Sequence, residues 1–261
     1  MKTKQVTIGN TTLICGDSFR ILPDLGIQAD AIISDPPFGI TNCKWDKAIP
    51  LDTFWAMVDE LTKPTANFVL FASGKFTVDL INSNRKGYRY DWVWEKNNKV
   101  GFLNANLMPM RNHESILVFG RPGFKRTSTY NAQKAPGGKR GTKTINHKSS
   151  IYRDKGEYTH ESDGMQHPCS VLPFRSDGRN AAKHPTQKPV SLMEFLIYSY
   201  TNDNDIIIDP FMGAGSTGVA CALHNRRFIG IEKEPQYFDI AVERMKQAYA
   251  EVQNGQEEFG K

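Results

Sequence analysis

Cysteine is scarce in this chain of 261 residues: Cys15, Cys43, Cys169 and Cys221 lie far apart and make no CxxC pair. That excludes a small disulfide scaffold and the usual zinc ribbons, and leads us to expect reduced, cytosolic thiols with no metal site. Long apolar runs are missing as well. None reaches the roughly 18 residues that a membrane helix needs, and the opening Met1-Lys-Thr-Lys-Gln-Val lacks the apolar core of a signal peptide, which argues for a cytoplasmic protein and against a membrane partner. There is no internal repeat. At 39% apolar and 23% charged residues the chain is not intrinsically disordered, and it is long enough to bury a sizeable core.

The net charge of +5 says little until it is mapped. Residues 121–188 hold 14 Lys and Arg against 5 Asp and Glu, residues 1–120 are almost balanced, and residues 189–261 are net acidic. A positive stretch of this kind either favours a nearby polyanion, chiefly through counterion release, or is a solvated loop.

Hydrophobic periodicity divides the rest. Ala29-Asp-Ala-Ile-Ile-Ser34 reads as a strand stopped by Asp35-Pro-Pro-Phe38. Leu51, Phe54, Val58 and Leu61 mark a helix over 51–63. Strands are expected at 67–73, 90–94 and 115–119, with a helix over 75–83. Residues 121–183 show no sustained period, and Lys134-Ala-Pro-Gly-Gly-Lys-Arg-Gly-Thr-Lys143 is expected to be a mobile loop. So long an irregular stretch within a compact chain points to a functional insertion. A helix over 190–200, a strand over 205–208, a helix over 216–224, a strand over 227–231 and a helix over 236–250 complete the pattern, with a polar, frayed tail from Gln253. Strands alternating with helices indicate an α/β fold on a largely parallel sheet.

Two segments carry chemistry. Ile206-Ile-Ile-Asp-Pro-Phe-Met-Gly-Ala-Gly-Ser-Thr-Gly218 is a strand, a turn and a helix start. Gly213 and Gly215 allow close approach of a ligand, Ser216 and Thr217 open a helix with unpaired N–H groups, and Glu232 ends the next strand, where a carboxylate can accept both hydroxyls of a ribose. Read alone, Gly213 to Gly218 also matches the dinucleotide fingerprint, so a nicotinamide-dependent oxidoreductase stays open here. Asp209 and Pro210 before the first glycine suit a cofactor bearing a sulfonium and an ammonium better than a pyrophosphate. The second segment, Asp35, Pro36, Pro37 and Phe38, sets a carboxylate, a rigid carbonyl and an aromatic face side by side. It is either a proline turn with a capping Asp or a receptor for a planar group bearing an NH2, whose two hydrogens find two acceptors while the ring stacks.

Together these motifs make the chain resemble the β-class DNA amino-methyltransferases that use S-adenosylmethionine. Asp35-Pro-Pro-Phe38 resembles that family's catalytic (D/N/S)PP(Y/F/W) motif, and Asp209 to Thr217 its FxGxG cofactor motif. His184-Pro-Thr-Gln-Lys-Pro189 resembles the segment that holds the methionine moiety, and Cys15-Gly-Asp17 with Leu22 the element near the cofactor adenine. The order of motifs is the family's permuted one. The resemblance spans nearly all of residues 13–245 and implies a Rossmann-like, mostly parallel seven-stranded sheet with helices on both faces. Residues 1–120 would form the catalytic half, 121–183 an inserted target-recognition region, and 184–261 the cofactor-binding half. It further implies that Asp17 holds the cofactor's adenine amine, Glu232 its ribose, Asp209 its ammonium, and Lys188 and Thr186 its carboxylate. His184 lies in the same segment and Phe211 packs nearby.

Methylation of an exocyclic amine requires the base to be flipped from the duplex. Asp at position 35 favours adenine over cytosine, and Phe38 keeps the stacking face of the Tyr more common in adenine enzymes. Carbon-5 cytosine chemistry would need a Pro-Cys at the catalytic loop, and none stands there. The expected partner is double-stranded DNA, with RNA the nearest competitor and a binding module with a dead site a further class. Arg126, Arg140, Lys143, Arg153, Arg175 and Arg179 are its candidate contacts, most of them to phosphate. The resemblance leaves room for a homodimer and for a restriction endonuclease acting separately. Trp45 either walls the base pocket, contacts the DNA backbone or packs in the core. His160, His167 and Cys169 fit no zinc template, and His113-Glu114 shows no evident partner.

Overall fold

The computed structural model describes residues 4–39, 47–123, 128–147, 156–176 and 187–259. They fall into two compact units, one of 1–131 with 170–261 and one of 132–169.

The larger unit is built on a sheet whose strands run β1 (Lys4–Ile8), β2 (Thr11–Cys15), β11 (Arg227–Glu232), β10 (Ile206–Asp209), β3 (Ala29–Ser34), β4 (Thr62–Ala72), β6 (Arg111–Gly120), β5 (Tyr88–Val100) and β9 (Val171–Leu172). The five strands from β2 to β4 are parallel, β6 is antiparallel to both β4 and β5, and β9 is parallel to β5. The seven strands expected from the resemblance are therefore present, with β1 and β9 added at the two edges. The hairpin of β1 and β2 is not legible in the sequence, because its short strands lie at the sheet margin and β1 is half-exposed.

The central strands read as unbroken apolar runs because both of their faces are covered. On one face Ala31, Ile33, Val69 and Phe71 pack with Leu192 and Leu196 of α4 (Val190–Tyr200), Ala220 and Cys221 of α5 (Ser216–Leu223), and Phe238 and Met245 of α6 (Pro235–Phe259). On the other, Ile32, Phe68 and Leu70 meet Phe54, Val58 and Leu61 of α2 (Leu51–Leu61) and Phe76 and Leu80 of α3 (Lys75–Ser83). A short helix, α1 (Ser18–Ile21), follows β2. Helix α6 continues to Phe259, past the point where the polar composition suggested fraying. Among the described residues no helix is long and apolar enough to cross a membrane.

The smaller unit corrects the expectation of a mobile loop. Lys134–Lys143 lies largely within β7 (Ala135–His147), which pairs antiparallel with β8 (Gly156–Gln166). No apolar alternation announces these strands because the side chains described on β7 are exposed. Backbone pairing to a distant segment, with a register shift between Pro136 and Arg140, holds a glycine- and lysine-rich sequence extended.

Register sets up the functional edge. Ser34 lies opposite Leu70, Ile208 opposite Ile32, Asp209 opposite Gly230, and Glu232 opposite Cys15. The loops that follow β2, β11, β10 and β3 therefore leave the sheet side by side at its carboxyl edge, where ligands bind in open α/β folds.

Candidate active site

The glycine turn links β10 to α5. Gly213 and Gly215 have φ of 52° and 77°, the left-handed region open to glycine at little cost. At Gly215 a Cβ would stand 3.0 Å from the Ala241 Cβ and 3.1 Å from the Met245 Cε, so the turn lies tight against α6. The amide of Gly213 donates to Glu232 Oε2 at 2.9 Å, and that of Glu234 to Oε1 at 2.8 Å. Burial pushes the Glu232 carboxyl above the usual range. Each of its oxygens has a lone pair left to accept a further hydrogen bond.

Asp17 stands next to it. β2 pairs with β11, the Gly16 amide donates to the Glu232 carbonyl at 2.9 Å, and Asp17 caps α1 by accepting from the Phe19 amide at 3.0 Å. Phe211 packs at tilted angles between Phe19 and Phe54, with centroids 6.1 and 6.3 Å away.

Asp209 has structural partners that its motif position does not announce. It is 3% exposed, and both oxygens are occupied: Oδ1 accepts from Ser34 Oγ at 2.6 Å and from the Phe211 amide at 3.1 Å, and Oδ2 from Thr217 Oγ1 at 2.7 Å. Its place is a joint between the end of β3, the glycine turn and the first turn of α5. The same joint fixes the glycine turn beside the residue that precedes Asp35. Thr217→Val, which keeps the shape and deletes one donor to this buried carboxylate, is expected to destabilise the fold by about 1–3 kcal/mol in urea unfolding, and Thr217→Ser to restore most of that.

The double-proline loop carries a charge network that sequence reading misses. The Lys188 ammonium, 8% exposed on its side chain, pairs with Asp35 Oδ2 and lies 3.4 Å from Glu114 Oε2. Lys96 pairs with Glu114 Oε1 from the other side. Aromatic faces complete the surroundings: Lys188 Nζ lies 4.9 Å from the Phe71 ring centroid, and Lys96 Nζ 5.2 Å from that of Trp94. Lys188 is thus engaged by two protein carboxylates, a pairing that its motif position does not announce. Glu114, which shows no partner in the sequence, has two.

Burial pushes the Asp35 carboxyl up to about 6; Lys188 opposes the rise, and the negative charges of Glu114 and Asp209 add to it. Burial also raises Glu114, but Lys188 and Lys96 outweigh it and hold that carboxyl below its ordinary value. Burial lowers Lys188, yet Asp35 and Glu114 win and keep it charged. Among the described residues Asp35 Oδ1 is buried without a hydrogen-bond partner. Phe38 stacks on Phe76 with ring centroids 5.1 Å apart and an angle of 27°. The structure therefore brings Asp17, Asp35, Phe38, Lys188, Asp209, Phe211, the glycine turn and Glu232 to one sheet edge.

The basic candidates fall in different units. Arg140 and Lys143 are exposed on β7 of the smaller unit, and Arg175 is exposed just after β9 in the larger one. Arg126, Arg153, Arg179, His184, Thr186 and Trp45 lie outside the described residues.

Residues 29–243 match the family model described as DNA methylase. The chain is 48% identical over 268 residues to the Type II methyltransferase M2.LlaDCHI of Lactococcus lactis subsp. cremoris, covering 90% of this chain and 89% of that one. It resembles the crystal structure of the M1.HpyAVI–SAM complex at 30% identity and a TM-score of 0.63, covering 90% and 98% of the two chains. PvuII DNA methyltransferase (cytosine-N4-specific) matches with a TM-score of 0.66 over 95% and 94% of the two chains, and at 16% identity this is a likeness of fold alone.

Proposed function

The chain belongs to the N6/N4 DNA methylase family, and on that premise we propose that it methylates the exocyclic amine of adenine, with Asp35 as the acceptor for that amine. It is an S-adenosylmethionine-dependent, site-specific DNA methyltransferase. The observation that carries the reading is the buried, unpartnered Oδ1 of Asp35 on a loop fastened to the glycine turn through Ser34 and Asp209.

The residues fit the cofactor. Glu232 retains acceptor capacity for ribose hydroxyls, with Asp17 beside it for an adenine amine, and Gly213 and Gly215 keep Cβ atoms out of the turn. Bound there, S-adenosylmethionine supplies a methyl carbon that the amine nitrogen attacks as the C–S bond breaks and its electron pair goes to sulfur. This chain's part is placement and charge. Phe38 offers a face on which the flipped ring stacks, recovering about 1–3 kcal/mol of the unstacking cost. Asp35 and the Pro36 carbonyl accept the two amino hydrogens, which directs the nitrogen lone pair away from the ring plane. As positive charge grows on the nitrogen, the Asp35 carboxylate stabilises it and takes up the surplus proton. Lys188, itself held by Glu114, keeps Asp35 ionised until that moment. The remaining basic residues, Arg140, Lys143 and Arg175 among them, serve phosphate contacts, and residues 121–183 serve target recognition. The partner is double-stranded DNA, and a restriction endonuclease acting separately is in keeping with the Type II relatives.

Adenine is preferred because a carboxylate heads the loop. Incubation with methyl-labelled S-adenosylmethionine and unmodified genomic DNA, followed by digestion to nucleosides, is expected to place the label on N6-methyl-2′-deoxyadenosine. Label on N4-methyl-2′-deoxycytidine would assign the same machinery to the other base.

A further inference from the structure

Between β5 and β6 a short loop carries large apolar side chains into solvent. Phe102, Leu103, Leu107 and Met108 are 78, 96, 82 and 57% exposed. The loop is nonetheless firmly built. Gly101, at φ 95°, starts a 3-10 turn, the Asn104 amide donates to the Gly101 carbonyl at 3.0 Å, and the amides of Leu107 and Met108 donate to the Asn104 carbonyl at 2.9 and 3.0 Å. Such a knob holds its apolar tip outward instead of letting it collapse.

Its surroundings suit a polyanion. No carboxylate occurs between Glu95 and Glu114, whereas Lys96, Lys99, Arg111 and His113 do. Lys99, Arg111 and His113 are exposed. The position is equally telling. β6 begins at Arg111, three residues before the Glu114 that contacts Lys188, and Lys188 in turn contacts Asp35. At strand rise β6 therefore starts about 10 Å beyond that network, and the knob lies just before it in the chain.

We propose that the Phe102–Met108 knob is a wedge that enters the DNA base stack and fills the space left by the nucleotide turned toward Asp35. This rests on the methylation reading above and adds the element that holds the duplex open. A base stack is an apolar interior between two rows of phosphates, which matches an apolar tip with cationic flanks. A protein partner is a poorer match, because four projecting side chains fall well short of the roughly 20–30 residues a side of a stable protein interface.

The test uses the full-length double variant Leu103→Ser/Leu107→Ser, whose altered side chains are exposed, so that folding is not at stake. Methyl transfer is measured on unmodified plasmid DNA as intact duplex, after heat denaturation, and as a duplex copy whose second strand carries scattered abasic positions opposite adenine. On intact duplex the variant is expected to be slower than the unaltered chain by about tenfold or more, since opening a base pair has an energetic cost. On at least one of the other two substrates, where no pair has to be opened, that deficit should shrink to about twofold or less. An equal loss on all three substrates, or none on intact duplex, would overturn the wedge. So would a sedimentation shift from dimer to monomer in the variant, which would make the knob a surface between two copies of this chain. Absence of transfer by the unaltered chain on every substrate would instead bring down the methylation reading, and the wedge with it.

Discussion

Asp35→Ala is expected to lower the single-turnover rate of methyl transfer by about a hundred- to a thousandfold, the usual effect of removing one preorganised electrostatic partner of a developing charge. Binding of S-adenosylmethionine, measured by calorimetry, should change little, because Glu232 and the glycine turn stand on other strands. Folding should survive too, since Lys188 keeps Glu114 as a partner. In the unaltered chain the rate should rise with pH around 6, where the raised Asp35 carboxyl gives up its proton and becomes an acceptor. The Asp35→Ala variant should lose that step. Near-normal turnover in the variant would remove Asp35 from the chemistry.

The second large effect concerns Lys188. In Lys188→Met two largely buried carboxylates, Asp35 and Glu114, are left without the cation that pairs with both. Breaking a buried ion network by removing one member costs about 3–5 kcal/mol, which urea unfolding at neutral pH should register. The sign of the kinetic effect follows from the same charges. Burial and Glu114 both push the Asp35 carboxyl up, and Lys188 opposes them. Without Lys188 the carboxyl holds its proton to higher pH, so the rate–pH midpoint should move above 6 and most activity should be lost near neutrality and regained under alkaline conditions. Adding Glu114→Gln removes the nearby negative charge and should bring the midpoint back down. A midpoint that stays in place in Lys188→Met would reduce Lys188 to a folding role.

These residues also show what the sequence can reveal. The strand and helix that flank Asp35 and the glycine turn are legible because apolar periodicity and the prolines and glycines at their ends act locally. The two motifs are legible as chemistry because each keeps its functional groups within a few consecutive residues. The Asp35–Lys188 pair is not, since it joins residues 153 apart and exists only once β3 and the start of α4 share an edge. Glu114 is hidden for the same reason: its partners come from β5 and from the segment before α4. Motif position puts Asp209 on the right edge but does not say that Ser34 and Thr217 will donate to its oxygens. The hairpin of β7 and β8 escapes the sequence because its strands answer to each other and not to a core, so composition points to a loop.

The most direct measurement is a crystal structure of the chain with S-adenosylmethionine bound. The expected density crosses the glycine turn, with ribose hydroxyls donating to Glu232 and the methyl group facing the open space beside Asp35 Oδ1. A methyl group turned away from the double-proline loop, or a cofactor seated elsewhere on the sheet, would contradict the shared site on which the mechanism depends.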